Sequence, residues 1–282
     1  MDFKSAAFLS LMAMGSGMTA LGYACSLPFR VRYERMSFAG LPRHLRGLKI
    51  LLMADLHGRH PDKIEHDIWP YVLGLDFDMA AICGDVILNN PSQLRPHMKG
   101  LSALAKKAPA FYVDGNHEDE CCDEIASIFD DIGITSLFDR RGSFAVGATG
   151  SSISPVVSIC GFKDYKYLTA NRFKGIKLLI DDLATTKGFH IILTHQPQIF
   201  DLICSKNVNA LVLAGHTHGG QIRLPFFPTL VAPGQGILPK YGVGWYHDKN
   251  AKLFVTSGIG ATTFPLRMFN PPEVVLIELE GQ

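Results

Sequence analysis

The chain has 282 residues, of which 47% are hydrophobic and 19% charged, a balance ordinary for a folded protein and unlike that of a disordered polymer. Its 27 basic and 26 acidic residues leave a formal net charge of +1, so no long-range field gathers a polyanion and no nucleic-acid partner is expected.

The N-terminus departs from that balance. Between Lys4 and Arg30 there is no charged side chain, and "AAFLSLMAMGSGMTALGYAC" (Ala6–Cys25) meets the length of about 20 residues that a bilayer-spanning helix needs. Residues 1–29 therefore read as an N-terminal membrane anchor, a single transmembrane helix. A cleaved signal peptide is the competing reading, against which stands the lack of a basic cluster ahead of the apolar stretch. Arg30, Arg32 and Arg35 follow the stretch and only Lys4 precedes it, which puts the rest of the chain on the cytoplasmic side. Residues 30–46 read as a linker and first edge segment, and 47–282 as one folded domain.

From Lys49 onward, apolar runs alternate with helical stretches. The runs at 49–55, 79–85, 110–117, 156–162, 190–195, 210–216, 252–258 and 273–279 read as buried strands; helices are expected over 63–73, 92–107, 120–132, 174–185 and 197–204. This is α/β architecture. Cys83 and Cys160 fall inside apolar runs and Cys121 adjoins Cys122, so the six cysteines read as reduced thiols without a disulfide framework.

Strand after strand ends in residues able to bind a metal: Asp55 and His57, then Asp85, then Asn116 and His117, then His195, then His216 and His218. In open α/β sheets the carboxyl ends of the strands form the ligand-binding rim. Carboxylate, imidazole and amide donors suit Mn, Fe or Zn better than Ca. Setting His117 aside, seven candidate ligands exceed what one ion takes; they suit two ions sharing a carboxylate, about 3.5–4 Å apart, with a hydroxide between them that attacks phosphorus. Taken singly, each residue has a blander reading: Asp85 as a helix cap, Asn116 as a left-handed turn residue, His195 as a satisfied core histidine. The same coincidence at successive strand ends outweighs those readings. His44, His60, His66, His97, His190 and His247 have no such placement and read as structural.

The blocks "DLH" (Asp55–His57), "GDVILN" (Gly84–Asn89), "GNHE" (Gly115–Glu118), "TH" (Thr194–His195) and "GHTHGGQ" (Gly215–Gln221), in this order, resemble the calcineurin-like metallophosphoesterases. The resemblance runs from about Leu41 to Leu279. It implies a four-layer α-β-β-α sandwich and an enzyme that hydrolyses phosphoric ester or pyrophosphate bonds with two divalent ions. It further implies that Asp55, His57, Asp85 and His218 hold one ion, and that Asp85, as bridge, with Asn116, His195 and His216 holds the other. His117 would stabilise the transition state or protonate the leaving oxygen. The usual family block is GNHD; Glu118 departs from it and is expected to touch no ligand.

The opening "GLKILLMADLHG", the "GHTHGGQIRLP" block and the closing "SGIGATTFPLRMFNPPEVVLIEL" resemble a membrane-associated bacterial branch that includes envelope phosphodiesterases and UDP-2,3-diacylglucosamine pyrophosphatases. That resemblance implies a lipid-linked phosphodiester or pyrophosphate substrate at the bacterial cell membrane. A phosphomonoesterase is the near alternative, and a catalytically silent metal- or lipid-binding membrane module is the alternative from another class. Phe226 and Phe227 read either as a greasy rim that touches lipid or as a loop closing over the sheet. Arg267 reads, by analogy, as a phosphate or headgroup contact, with a surface ion pair as its rival.

Overall fold

Apolar residues at consecutive positions force a strand to bury both faces, because successive side chains point to opposite sides. The computed structural model, which describes residues 29–57, 68–146, 156–164, 170–223, 229–260 and 267–282, shows this in β2 (Lys49–Met53). Ile50 and Leu52 join one apolar cluster, Leu51 and Met53 another. The strand is buried on both sides.

Two six-stranded sheets result. The first runs β1 (Arg30–Phe38), β14 (Glu273–Gly281), β2, β3 (Met79–Cys83), β4 (Ala110–Val113) and β5 (Ile134–Ser136). The second runs β12 (Gly244–Asp248), β13 (Ala251–Val255), β9 (Ala210–Ala214), β8 (His190–Leu193), β7 (Val156–Gly161) and β6 (Arg140–Ala145). Their inner faces share one cluster, in which Ile50, Leu52, Ala81 and Cys83 of the first sheet meet Ile191, Leu193, Leu211 and Leu213 of the second.

Helices cover the outer faces. α1 (Ile68–Gly74), α2 (Met98–Lys107) and α3 (Cys122–Asp131) pack on the first sheet through Trp69, Leu101, Ile125 and Phe129. α4 (Ala170–Thr185) and α5 (Phe200–Ser205) pack on the second through Ile180 and Ile203. The layers are α-β-β-α, as the resemblance implies.

Two local expectations change, and the first edge segment takes shape. The helix expected over 92–107 divides into a 3-10 turn, Pro91–His97, and α2, because Pro96 inside it lacks the N–H that an α-helix needs. Residues Arg30–Phe38 form a nine-residue edge strand paired in parallel with β14. Strands that carry candidate ligands also stop early, β2 at Met53, β3 at Cys83 and β9 at Ala214. The reason lies in the backbone of the site.

The expected anchor falls on residues 1–28 and the Phe226–Phe227 rim on 224–228, all outside the described residues. Among the described residues no helix is long and apolar enough to cross a membrane. The described cysteines, Cys83, Cys121, Cys122, Cys160 and Cys204, are free thiols.

Candidate metal centre

Asp55, His57, Asp85, His216 and His218 have φ of 55°, 53°, 51°, 71° and 48°, in the left-handed region that non-glycine residues seldom adopt. No β-ladder accommodates such a residue, so each strand ends before the side chain it presents. Each such residue costs of order 1–3 kcal/mol and persists only where its surroundings hold it. Here the turns hold one another: Asp55 N–H donates to Gly84 O at 3.0 Å and His57 N–H to Asp85 O at 3.0 Å. Gly84, at φ 77°, leaves the space that His195 fills, since a Cβ there would lie 2.5 Å from His195 Nδ1. These turns bring loops from both sheets together.

Two groups of side chains converge, each with its candidate donor atoms within 4.8 Å of one another: Asp55, His57, Asp85 and His218, and Asp85, His195 and His216. Asp85 belongs to both. Its Oδ2 lies 3.6 Å from His57 Nε2 and 3.1 Å from His195 Nε2. His57 Nε2 and His218 Nε2 face each other at 3.1 Å, as do His216 Nδ1 and His195 Nε2. Two ring nitrogens so paired satisfy each other only if one of them carries a proton, whereas a cation satisfies both. Asn116 does not take the left-handed conformation considered for it. Its Oδ1 is buried with no hydrogen-bond partner among the described residues. An orphaned amide oxygen and opposed imidazoles fit divalent ions, and the mixed nitrogen and oxygen donors suit Mn, Fe or Zn.

The electrostatics agree. Burial pushes His57 down to about 4, His216 down to about 3 and His218 well below the usual histidine range, so these rings are neutral, the form that binds metal. Burial also opposes charge on His195, yet the adjoining Asp85 carboxylate holds it well above that range. Burial opposes ionisation of Asp85 in turn, and the His195 charge keeps it ionised below the usual carboxylate range. The two form an ion pair where an ion would otherwise sit. His195 Nδ1–H donates to the Cys83 carbonyl at 2.8 Å, which fixes the ring so that Nε2 faces Asp85.

His117 stands apart from the four buried rings. Its side chain is 27% exposed, its Nδ1–H donates to Leu88 O at 2.6 Å, and its Nε2 lies 3.9 Å from Asp85 Oδ2. Its backbone N–H donates to Asp85 Oδ1 at 3.0 Å. The free ring nitrogen thus faces the centre from its open side.

Two expectations fail here. Glu118, expected to touch no ligand, is fully buried and takes the Asp85 N–H at 2.8 Å and the Gly115 N–H at 2.7 Å on Oε2, and the Ile87 N–H at 3.0 Å on Oε1. Burial, with the Asp85 charge adding to it, pushes Glu118 up to about 8. Arg267 is no surface ion pair: it is 5% exposed and donates to the carbonyls of Gly260 at 3.1 Å, Ser257 at 2.9 Å and Asn270 at 3.4 Å. The guanidinium pins the loop after β13, next to Asp55, instead of reaching outward. Asn270 escaped the sequence reading altogether. It donates to His218 O at 2.6 Å and so braces the GHTHGG turn. Beside His195, a cavity of about 250 Å³ opens between Asp164, Thr194, Gln196, Gln198 and the apolar wall of Phe173 and Ile176.

The profile of the calcineurin-like phosphoesterases matches residues 48–220. This chain belongs to that family. It is similar to a metallophosphoesterase of Campylobacter jejuni, 31% identical over 247 residues that cover 86% of this chain and 62% of that protein. It is also similar to the metallophosphoesterase YkuE of Bacillus subtilis, 26% identical over 86% of this chain and 82% of that one. The phosphodiesterase YaeI of Escherichia coli is 27% identical over 275 residues, 95% of this chain and 94% of that one. The chain spans 62% and 60% of the length of the Campylobacter jejuni relative and a Helicobacter pylori one.

Proposed function

We propose that the chain hydrolyses a phosphodiester or pyrophosphate bond of a lipid-linked substrate at the membrane. Two divalent ions would be held, one by Asp55, His57, Asp85 and His218, the other by Asp85, Asn116, His195 and His216. The observation that carries the reading is Asp85, a single buried carboxylate in contact with an imidazole of each cluster. When bound, the ions supply Lewis acidity toward phosphoryl oxygens and an activated water.

The chain's own residues do the rest. Leu88 O holds the Nδ1–H of His117, so Nε2 is the nitrogen that carries and delivers a proton to the leaving oxygen. Buried, neutral His57, His216 and His218 present unprotonated ring nitrogens to the ions. The diester part of the reading is supported by similarity to a phosphodiesterase over 95% of the chain, and the membrane part by the uncharged stretch of residues 5–29. In this reading residues 1–29 anchor the chain in the bacterial membrane with the catalytic domain on the cytoplasmic side.

The test is turnover by the full chain, with added Mn²⁺, of bis-p-nitrophenyl phosphate, p-nitrophenyl phosphate, UDP-diacylglucosamine and a phospholipid. A diester or pyrophosphate is expected to outpace the monoester. Asp85→Ala is expected to keep its circular dichroism and lose turnover; retained turnover overturns the two-metal reading.

A further inference from the structure

We propose that the β10 (Val231–Ala232) and β11 (Gly236–Ile237) hairpin docks on an anionic bilayer surface and sets the metal centre against it. The inference rests on the membrane reading above and adds to it the face and the residues.

Topology supplies the first part. β1 runs parallel to β14, and β14 antiparallel to β2, so β1 begins at the edge where β2 ends. Arg30, the first residue of β1, pairs with Glu273, whose Oε1 accepts the Ser257 N–H at 3.1 Å. A Cβ on the next residue, Gly258, would lie 2.6 Å from Asp55 Oδ2. The chain therefore passes from its uncharged N-terminal stretch into the fold on the rim that carries Asp55. An anchor there places that rim next to the bilayer. At the same corner the 60%-exposed Tyr71, its ring centroid 6.1 Å from that of Phe29, is amphipathic like the tyrosines of the belts found at membrane interfaces.

The hairpin supplies the second part. Its inner side touches the centre: a Cβ on Gly220 would meet Val231 O at 2.7 Å, and one on Gly234, at the hairpin turn, would lie 3.4 Å from His216 Nε2. Apolar side chains on and just after the hairpin are uncovered, with Val231 52%, Ile237 80% and Leu238 65% exposed. Leu238 holds a left-handed φ of 52°, a costly conformation for leucine at a place where no core contact repays it. An exposed apolar patch of this kind, rimmed by polar residues, marks a contact surface.

Charge selects the occupant. No acidic residue occurs from Arg223 through His247, a stretch that contains Arg223 and Lys240, the latter paired with Asp201 at 2.6 Å. Arg223 has no ion pair among the described residues and lies in the field of Arg30 and Arg32, which depresses it after burial does. An uncovered apolar face in a stretch whose charged residues are all basic suits an anionic leaflet, where a basic residue near the surface contributes about 1 kcal/mol.

The experiment uses the full chain in vesicles of phosphatidylcholine with phosphatidylglycerol. Ile237→Trp is expected to add an emission component that vesicles with brominated acyl chains quench, beyond the quenching of Trp69 and Trp245 in the parent. Ile237→Asp with Leu238→Asp is expected to slow hydrolysis of a vesicle-embedded phosphodiester about tenfold or more, and to leave the bis-p-nitrophenyl phosphate rate unchanged. An added indole quenched no more than the parent's overturns the proposal. So does a parent dimer that the double variant turns into a monomer, which would assign the patch to a second copy of the chain. Failure of the parent to hydrolyse bis-p-nitrophenyl phosphate counts against the phosphoesterase reading alone, because quenching reports docking without turnover.

Discussion

The Glu118 carboxylate accepts the backbone N–H of Asp85 at 2.8 Å, so the residue common to both candidate ligand clusters is braced through its backbone by a second acid. The same group ties Gly115 and Ile87, joining the turn after β3 to the turn after β4. In Glu118→Gln one carboxylate oxygen becomes an amide N–H₂, which faces at least one backbone N–H and satisfies none. We expect a loss of about 1–3 kcal/mol in the denaturant midpoint. We also expect a roughly 10–100-fold weaker metal affinity. Unchanged metal affinity in the variant would remove Glu118 from the support of Asp85.

His117 is expected to act on the leaving group without holding an ion. His117→Ala should lower kcat by about 10²–10⁴-fold on an alkyl diester. The loss should be smaller on bis-p-nitrophenyl phosphate, whose leaving group needs no proton. Metal content, read by elemental analysis, should stay at the parent value; loss of an ion would make His117 a ligand.

Metal binding is expected to release protons. Burial, reinforced by the Asp85 charge, pushes Asp55 up to about 7, and His195 is held protonated by Asp85. Both must give up a proton to a metal. Protons therefore compete increasingly as pH falls, and apparent affinity should rise from about pH 6 to about pH 8. Calorimetry in buffers of different ionisation enthalpy measures the released protons directly; a binding enthalpy that does not change with buffer contradicts this.

Arg267→Lys is expected to damage the fold more than the chemistry. An ammonium cannot span the carbonyls of Gly260, Ser257 and Asn270 that the guanidinium fork reaches. A stability loss of about 1–3 kcal/mol should appear in chemical denaturation, with KM for a soluble diester unchanged in the folded enzyme. A raised KM without loss of stability would return Arg267 to the role of a substrate contact.

Much of the architecture was legible because burial on both faces demands unbroken apolar runs, and runs such as "KILLM" and "ALVLA" leave no other reading. β6 and β12 went unseen for the converse reason. They are edge strands of their sheet, and "RRGSFA" and "GWYHD" carry the charges and glycines that edges tolerate. Polar residues at the ends of the apolar runs made the candidate ligands legible as well. Their supports were not: Glu118 and Asn270 act through backbone groups that are remote in sequence, 33 residues away for Glu118 and Asp85 and 52 for Asn270 and His218, and Arg267 through carbonyls that only the folded loop brings to it.

The sequence by itself therefore determined which residues reach the rim, since hydrophobic periodicity places strand ends and composition names the donors found there. Only the tertiary structure decided how those donors meet. The left-handed backbone at Asp55, His57, Asp85, His216 and His218 is unfavourable in isolation and survives only where two sheets and their turns hold it, so no local pattern announces it. The same holds for the position of the rim relative to the N-terminus. It follows from β1 pairing with a strand more than 200 residues away, at Arg30 and Glu273, and that pairing is a property of the assembled sheet.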